Sequence, residues 1–299
     1  MALAFAAAPV RAAFQLPIES PESAAMAGAS MTSSRDSASL FVNPAQLAGT
    51  RHADFYFMHN QMYAGMEGVG SIGQSFLSAA VPSRLGTFGF GVGTFQAAGL
   101  MQERTIALTY AKSLGDRFGI GVTGKQLYHG FQSAGDPLAA NDPVFNNGRG
   151  KSAITFDFGV AAKISEPLRV GVVVRNANSP DVGLAVEDRV PREIQAGAAY
   201  ELGARRGLTL TADVAYRDDR SLASSDRLTP GVGLEKRLAG DRFAFRFGLT
   251  PLEFTAGFGL NWGMIGLDYA LILRRTLTDG SVGTHMLGLR VRFGGGAYQ

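Results

Sequence analysis

The chain alternates. In LTLTADVAYR, Leu208, Leu210, Ala212, Val214 and Tyr216 fall on one face of an extended strand, while Thr209, Thr211, Asp213, Ala215 and Arg217 fall on the other. FAFRFGLT sets Phe243, Phe245, Phe247 and Leu249 against Ala244, Arg246, Gly248 and Thr250. LEFTAGFGLNW, IGLDYALIL and MLGLRVRF repeat the split near the C-terminus, and ITFDFGVAAKI, LRVGVVVR and EIQAGAAYEL carry it earlier. FGFGVGTF, RTIALTYAK and FGIGVTGKQLYHG follow it less cleanly, and SIGQSFLSAAV and ADFYFMHNQMY are weakest. The pattern predicts about fourteen strands of roughly 8 to 12 residues, the length at which a tilted strand crosses a bilayer.

The connections divide into two kinds. SRLG, SLGDR, SEPL, GARRG, LAGDR and NWGM are tight, and they alternate with long links at Tyr63 to Gly70, Phe131 to Gly150, Asn176 to Arg189, Asp218 to Asp226 and Arg274 to Gly283. Short turns on one side and long loops on the other characterise outer-membrane barrels. AAGLM and LTPLE are short for the long side. A soluble sandwich would also alternate, but would not need charges at the centres of its strands. Asp157, Arg175, Asp213, Arg246, Asp268 and Arg290 stand there, together with Glu193. In a barrel such groups pair across the lumen while the apolar face meets lipid, and closure removes exposed strand edges. The expected fold is therefore all-β, an antiparallel transmembrane barrel.

Composition adds exclusions. There is no Cys, so neither a disulfide framework nor a Cys-based metal site exists. The net charge is +3, and the arginines are scattered singly, which argues against nucleic acid as a partner. GIGVTGK, Gly119 to Lys125, matches a phosphate-loop pattern only superficially: Gln126 replaces the hydroxyl residue, and strand continues on both sides. His52, His59, His129 and His285 show no metal-ligand spacing, so no cofactor and no catalytic group is expected. Tyr110, Tyr200, Tyr216, Trp262 and Tyr269 fall on lipid-facing registers and suit an interfacial girdle.

The N-terminal region breaks the alternation. Residues 1–12 read as the remnant of a secretory signal, with Val10 and Ala12 at −3 and −1 of a cleavage site. Residues 13–50 then carry Ala27-Gly28-Ala29, Asp36-Ser37-Ala38-Ser39 and Asn43-Pro44-Ala45, ahead of a barrel at 51–294 and a tail at 295–299. These elements resemble the N-terminal region of the FadL-like outer-membrane barrel superfamily. RNANSPDV, VPREIQAGAAYEL and IGLDYAL resemble its PorV/PorQ branch. Arg35 and Gln46 depart from the usual pattern.

The resemblance implies a short lumenal hatch, with Leu40, Phe41, Asn43, Pro44 and Leu47 beside any ligand path. Asp36 and Ser37 are placed to cap a helix, and Pro44 bars αR geometry at Asn43. The expected setting is the outer membrane of a Gram-negative bacterium, with membrane lipid as a partner. Two functions are expected from the resemblance: transport or carriage of a hydrophobic small molecule, or service to type IX secretion, binding exported proteins or secretion components through outer loops. The loop DPLAANDPVFNNGRG is the expected docking loop.

Overall fold

The computed structural model describes residues 13–32, 36–66, 72–132, 143–146, 148–203, 207–219, 227–275 and 281–293. The expected signal remnant, Arg35, most of the loop between 132 and 149, and the C-terminal tail lie outside the described residues. Fourteen antiparallel strands close into one barrel, each paired with its sequence neighbours. They are β1 Ala53–Gln61, β2 Ile72–Ser83, β3 Gly86–Ala97, β4 Met101–Leu114, β5 Phe118–Phe131, β6 Gly150–Lys163, β7 Leu168–Arg175, β8 Arg192–Glu201, β9 Leu208–Asp218, β10 Leu228–Leu238, β11 Phe243–Leu249, β12 Glu253–Trp262, β13 Ile265–Arg274 and β14 Thr284–Phe293. β1 and β14 seal the seam, with Ala53 opposite Phe293 and Gln61 opposite His285.

The links at 84–85, 115–117, 164–167, 202–207, 239–242 and 263–264 gather on one side, with both barrel ends, and this is the periplasmic side. The connections β1–β2, β5–β6, β7–β8, β9–β10 and β13–β14 leave the strands at the opposite, outer end, as do the short links 98–100 and 250–252.

The alternation has the direction expected of a barrel in lipid. Phe55, Phe57, Phe88, Phe90, Phe156, Phe158, Phe245 and Phe258 are exposed outward. Their neighbours in sequence, among them Tyr56, Met58, Asp157 and Arg246, are buried inward. No described helix is long and apolar enough to cross a membrane, and the strands do the spanning.

Residues 13–32 and 36–50 occupy the lumen. Two short helices, α1 Pro21–Ala24 and α2 Ser39–Val42, and a 3-10 turn at Pro44–Gly49 are connected by irregular chain. The segment begins at the outer mouth, where Ala13 packs with Val182 and Val190 of the 176–191 loop. It ends at the periplasmic mouth, where Ser113 Oγ donates to the Ala48 carbonyl at 2.9 Å, before the chain turns into β1.

Candidate functional site

The lumen is built by three kinds of contact between the wall and the N-terminal segment, and the first is backbone against glycine. A methyl group at Gly121 would lie inside the Pro44 backbone, and one at Gly159 inside the Asn43 side chain. Around the wall, Gly248 and Gly257 leave the same kind of room for Ala25 to Ala27. Glycines in the GIGVTGK stretch are therefore part of a strand that seats the segment, and no helix follows them as a phosphate loop would need.

Local capping shapes the segment itself. Ser20 Oγ accepts from the Ser23 amide at 3.3 Å, ahead of Pro21 at the first helical position of α1. Asn43 is extended, at φ −146° and ψ 106°, as a residue before proline must be outside the helical region. Its Oδ1 accepts from the Ala45 amide at 3.1 Å, and its Nδ2 donates to the carbonyls of Met31 and Val160, both at 3.3 Å. Asn43 thus caps the 3-10 turn and fastens it to the barrel wall. The cap expected from Asp36 and Ser37 takes another form. The N-cap of α2 is Ala38 without a side-chain bond, and Asp36 Oδ1 instead accepts from the Ala38 amide at 3.1 Å in a turn before the helix.

The second kind of contact is ionic. Arg246 reaches Glu235 and Asp268 at 2.7 Å each and Glu22 of α1 at 3.4 Å. Arg290 reaches Asp36 at 3.1 Å and donates to Asn261 Oδ1 at 2.6 Å, while Tyr56 donates to Asp268 at 3.2 Å. Burial alone would push the Glu22 carboxyl up, but Arg246 and Arg290 overcome this and hold it below the ordinary carboxylate range.

A second network lies further out. Arg175 pairs with Glu193 and donates to the Val42 carbonyl at 2.6 Å, and Arg217 pairs with Glu193 at 3.0 Å. Lys125 pairs with Asp157 at 2.7 Å. Asp213 accepts from the Met31 amide at 3.1 Å and from Gln195 at 3.0 Å. The seven charged residues singled out in the sequence all face the lumen, and the structure brings Arg246, Asp268 and Arg290 into one cluster. Arg175 joins the second network, while Asp157 and Asp213 bind different partners. Glu22, Glu235, Tyr56 and Lys125 were not anticipated. The charges also do not simply pair across an open lumen, because Glu22, Asp36, Met31 and Val42 of the N-terminal segment are among their partners.

The third kind of contact is apolar. Leu40 and Leu47 are fully buried and Phe41 nearly so, with Phe41 edge-on to Phe76 at a centroid distance of 5.4 Å. Above them the filling is incomplete. A cavity of about 360 Å³ is lined by Leu16, Ile18, Phe41, Met62 and Met286 together with Arg175, Glu193 and Asp213. Residues 16–18 also border a smaller cavity on their other side, so this stretch divides the space. Phe41 lines both cavities, Leu40 and Leu47 pack in the core, and Asn43 and Pro44 belong to the wall contact.

His59 meets Ser75 Oγ at 2.8 Å on the outward face and His285 meets Tyr269 at 2.8 Å, but neither pair has a carboxylate orienting it among the described residues. Among those residues no cluster has the make-up of a metal site.

The geometry can now be set beside known proteins. The family model described as type IX secretion system membrane protein PorP/SprF matches residues 36–291. The chain belongs to that family. The match begins inside the lumenal segment, at Asp36, and runs through β13 into β14.

Among solved structures, the chain is similar to the Ralstonia pickettii toluene transporter TbuX, at 13% identity and a TM-score of 0.67 over 94% of this chain and 100% of that one. It is similar to the Pseudomonas putida toluene transporter TodX, at 13% identity and a TM-score of 0.61 over 94% and 100%. A Pseudomonas aeruginosa FadL homologue gives 15% identity and a TM-score of 0.59 over 94% and 97%. At such identities the likeness establishes the fold, that of FadL-like outer-membrane barrels. No match was found among curated proteins.

Proposed function

We propose that this outer-membrane barrel serves type IX secretion as a plugged platform, binding an exported protein or another secretion component at its outer surface. The observation that carries this reading is the inner half of the lumen, where residues 20–50 sit against wall glycines and are clamped by Arg246 and Arg290. A conduit for proteins would have to break those contacts at each passage. A docking platform keeps them. Membership in the PorP/SprF family supports the setting, and the RNANSPDV and VPREIQAGAAYEL stretches keep a PorV/PorQ-like carrier role within the same proposal.

The 176–191 loop offers an ordered docking element. Asp181 accepts from the amides of Gly183 and Asp188 at 3.0 and 2.8 Å, Lys151 pairs with Asp181 at 2.5 Å, and Val182 and Val190 anchor the loop over the lumen. Exposed Val186, Glu187 and Arg189 are left at its surface.

A second reading, carriage of a hydrophobic small molecule, is favoured by the outer cavity and its Leu16, Ile18 and Phe41 lining. One preparation tests both. Protein purified from outer membranes in mild detergent is searched for co-purifying proteins, and its organic extract is examined by mass spectrometry. A stoichiometric protein partner, weakened by V186D/R189E, is the expected result. A bound hydrophobic compound lost on F41A, with no protein partner, would instead establish the carrier reading.

A further inference from the structure

Cations at both rims divide into paired and unpaired, and at the periplasmic rim unpaired ones lie together. At the outer rim Lys151, Arg189, Arg192 and Arg274 pair with Asp181, Glu187, Asp218 and Glu253, while Arg104 lies over the Tyr128 ring and Arg275 donates to the Pro251 carbonyl. At the periplasmic rim Lys163 and Arg169 are paired, while Arg84, Lys112 and Arg117 are exposed and form no ion pair among the described residues, the charge of Arg117 acting at longer range on Glu166, the partner of Lys163. Asp116, the exposed carboxylate beside them, forms none either. These cations stand on neighbouring hairpins. Arg84 lies in the β2–β3 turn and Arg117 in the β4–β5 turn, Thr87 of β3 pairs with Ala111 of β4, and Lys112 follows immediately.

We infer that this patch holds the phosphate of an anionic phospholipid in the inner leaflet of the outer membrane. The neighbours favour lipid over a protein surface. Leu85 and Phe118, each adjacent in sequence to one of the cations, are 70% and 54% exposed at strand ends where the lipid-facing belt stops. Tyr110 lies between the hairpins on the outward register, stacks obliquely on Phe88 at 5.3 Å and donates to the Leu85 carbonyl at 2.7 Å. An amphipathic ring, apolar side chains below it and exposed cations above it match the depth profile of a phospholipid, acyl chain to headgroup.

Delipidated protein in a neutral detergent is titrated with phosphatidylglycerol or phosphatidylcholine and read by native mass spectrometry. Phosphatidylglycerol should bind the wild type more tightly. R84Q/K112Q/R117Q should lose about a hundredfold of that affinity, from about fivefold per cation near an anionic surface. R104Q, an outward-facing outer-rim change, should keep it. If the triple variant misfolds, as judged by heat-modifiable gel migration, R84Q and R117Q are read singly, and high salt should abolish the preference in the wild type. A wild type that does not discriminate would overturn the assignment. So would a triple variant that keeps phosphatidylglycerol yet no longer retains a periplasmic protein. Competition by inorganic phosphate alone at equal concentration would reassign the patch to free phosphate.

Discussion

The inner and outer halves of the lumen are filled by the same N-terminal segment in different ways. Towards the periplasm the segment touches the wall with its backbone, and Pro44, Ala45 and Asn43 lie where wall side chains have been reduced to hydrogen at Gly121 and Gly159. At the stretch 16–18, nearer the outside, it touches with a side-chain end. The atom facing Gly93 is the tip of Ile18, and cavities flank the stretch on both sides. Backbone in contact with backbone cannot yield by changing a rotamer, whereas a side-chain tip can. The inner half is therefore a fixed plug and the outer half the adaptable part of the fill.

The largest expected effect follows directly. G121V should expel the 3-10 turn from its seat, exposing Leu40 and Leu47, and should lower unfolding stability by about 3 kcal/mol or more while opening residues 36–50 to limited proteolysis. G93V asks only Ile18 to move and should cost about 1 kcal/mol with the proteolytic pattern unchanged. Equal effects at the two positions would remove the distinction between the halves.

Breaking the clamp comes next. R246M leaves Glu22, Glu235 and Asp268 buried without their common counterion, and one-sided removal of a buried ion pair costs about 3 to 5 kcal/mol. Because Glu22 belongs to the segment and Glu235 and Asp268 to the wall, thermal unfolding of R246M and of R246M/E22Q tells where the penalty falls. If restoring neutrality at Glu22 recovers most of the loss, the clamp acts mainly on the plug.

The halves also differed in how readable they were. Strand number, lipid face and lumenal charge all follow from period-two alternation, a local property that every pair of adjacent residues reports. Asn43-Pro44 was equally readable, because a proline restricts its predecessor wherever it occurs. The partners of the charges were not. Arg246 meets Glu22 across more than two hundred positions of sequence, and nothing near either residue specifies that meeting. A signal for the cradle was present in FGFGVG and GIG, where glycine alternates on the inward register. Its meaning depends on knowing that a segment lies against that register. The cap at Asp36 was misplaced because the carboxylate had two calls on it, the Ala38 amide and Arg290.

A smaller effect is expected at Asn43. N43A removes the cap on Ala45 and the donors to Met31 and Val160, and should cost about 1 to 2 kcal/mol. N43D keeps the cap but loses the donors. If both variants lose the same amount, the wall contacts rather than the cap hold the turn in place.

A further expected effect sharpens the description of the outer half, and it concerns pH. Glu19 closes the stretch that divides the two cavities, and burial pushes its carboxyl up to about 7 against the opposing hydrogen bond from Ser23, with Glu253 and Glu193 adding repulsion. A folded-state value above the ordinary one means that the fold binds the proton more tightly than the unfolded chain does. Its contribution is complete below the ordinary carboxylate range and is lost as pH rises through about 7. Wild-type stability should therefore fall by less than about 1.4 kcal/mol per pH unit between roughly 5 and 7 from this group. E19Q should flatten that part of the profile, while the plug, held by Arg246 and Arg290, keeps its protease resistance throughout. If acid and neutral pH instead change protection of residues 36–50 together with 14–19, the two halves move as one body and the lumen has a single, coupled fill.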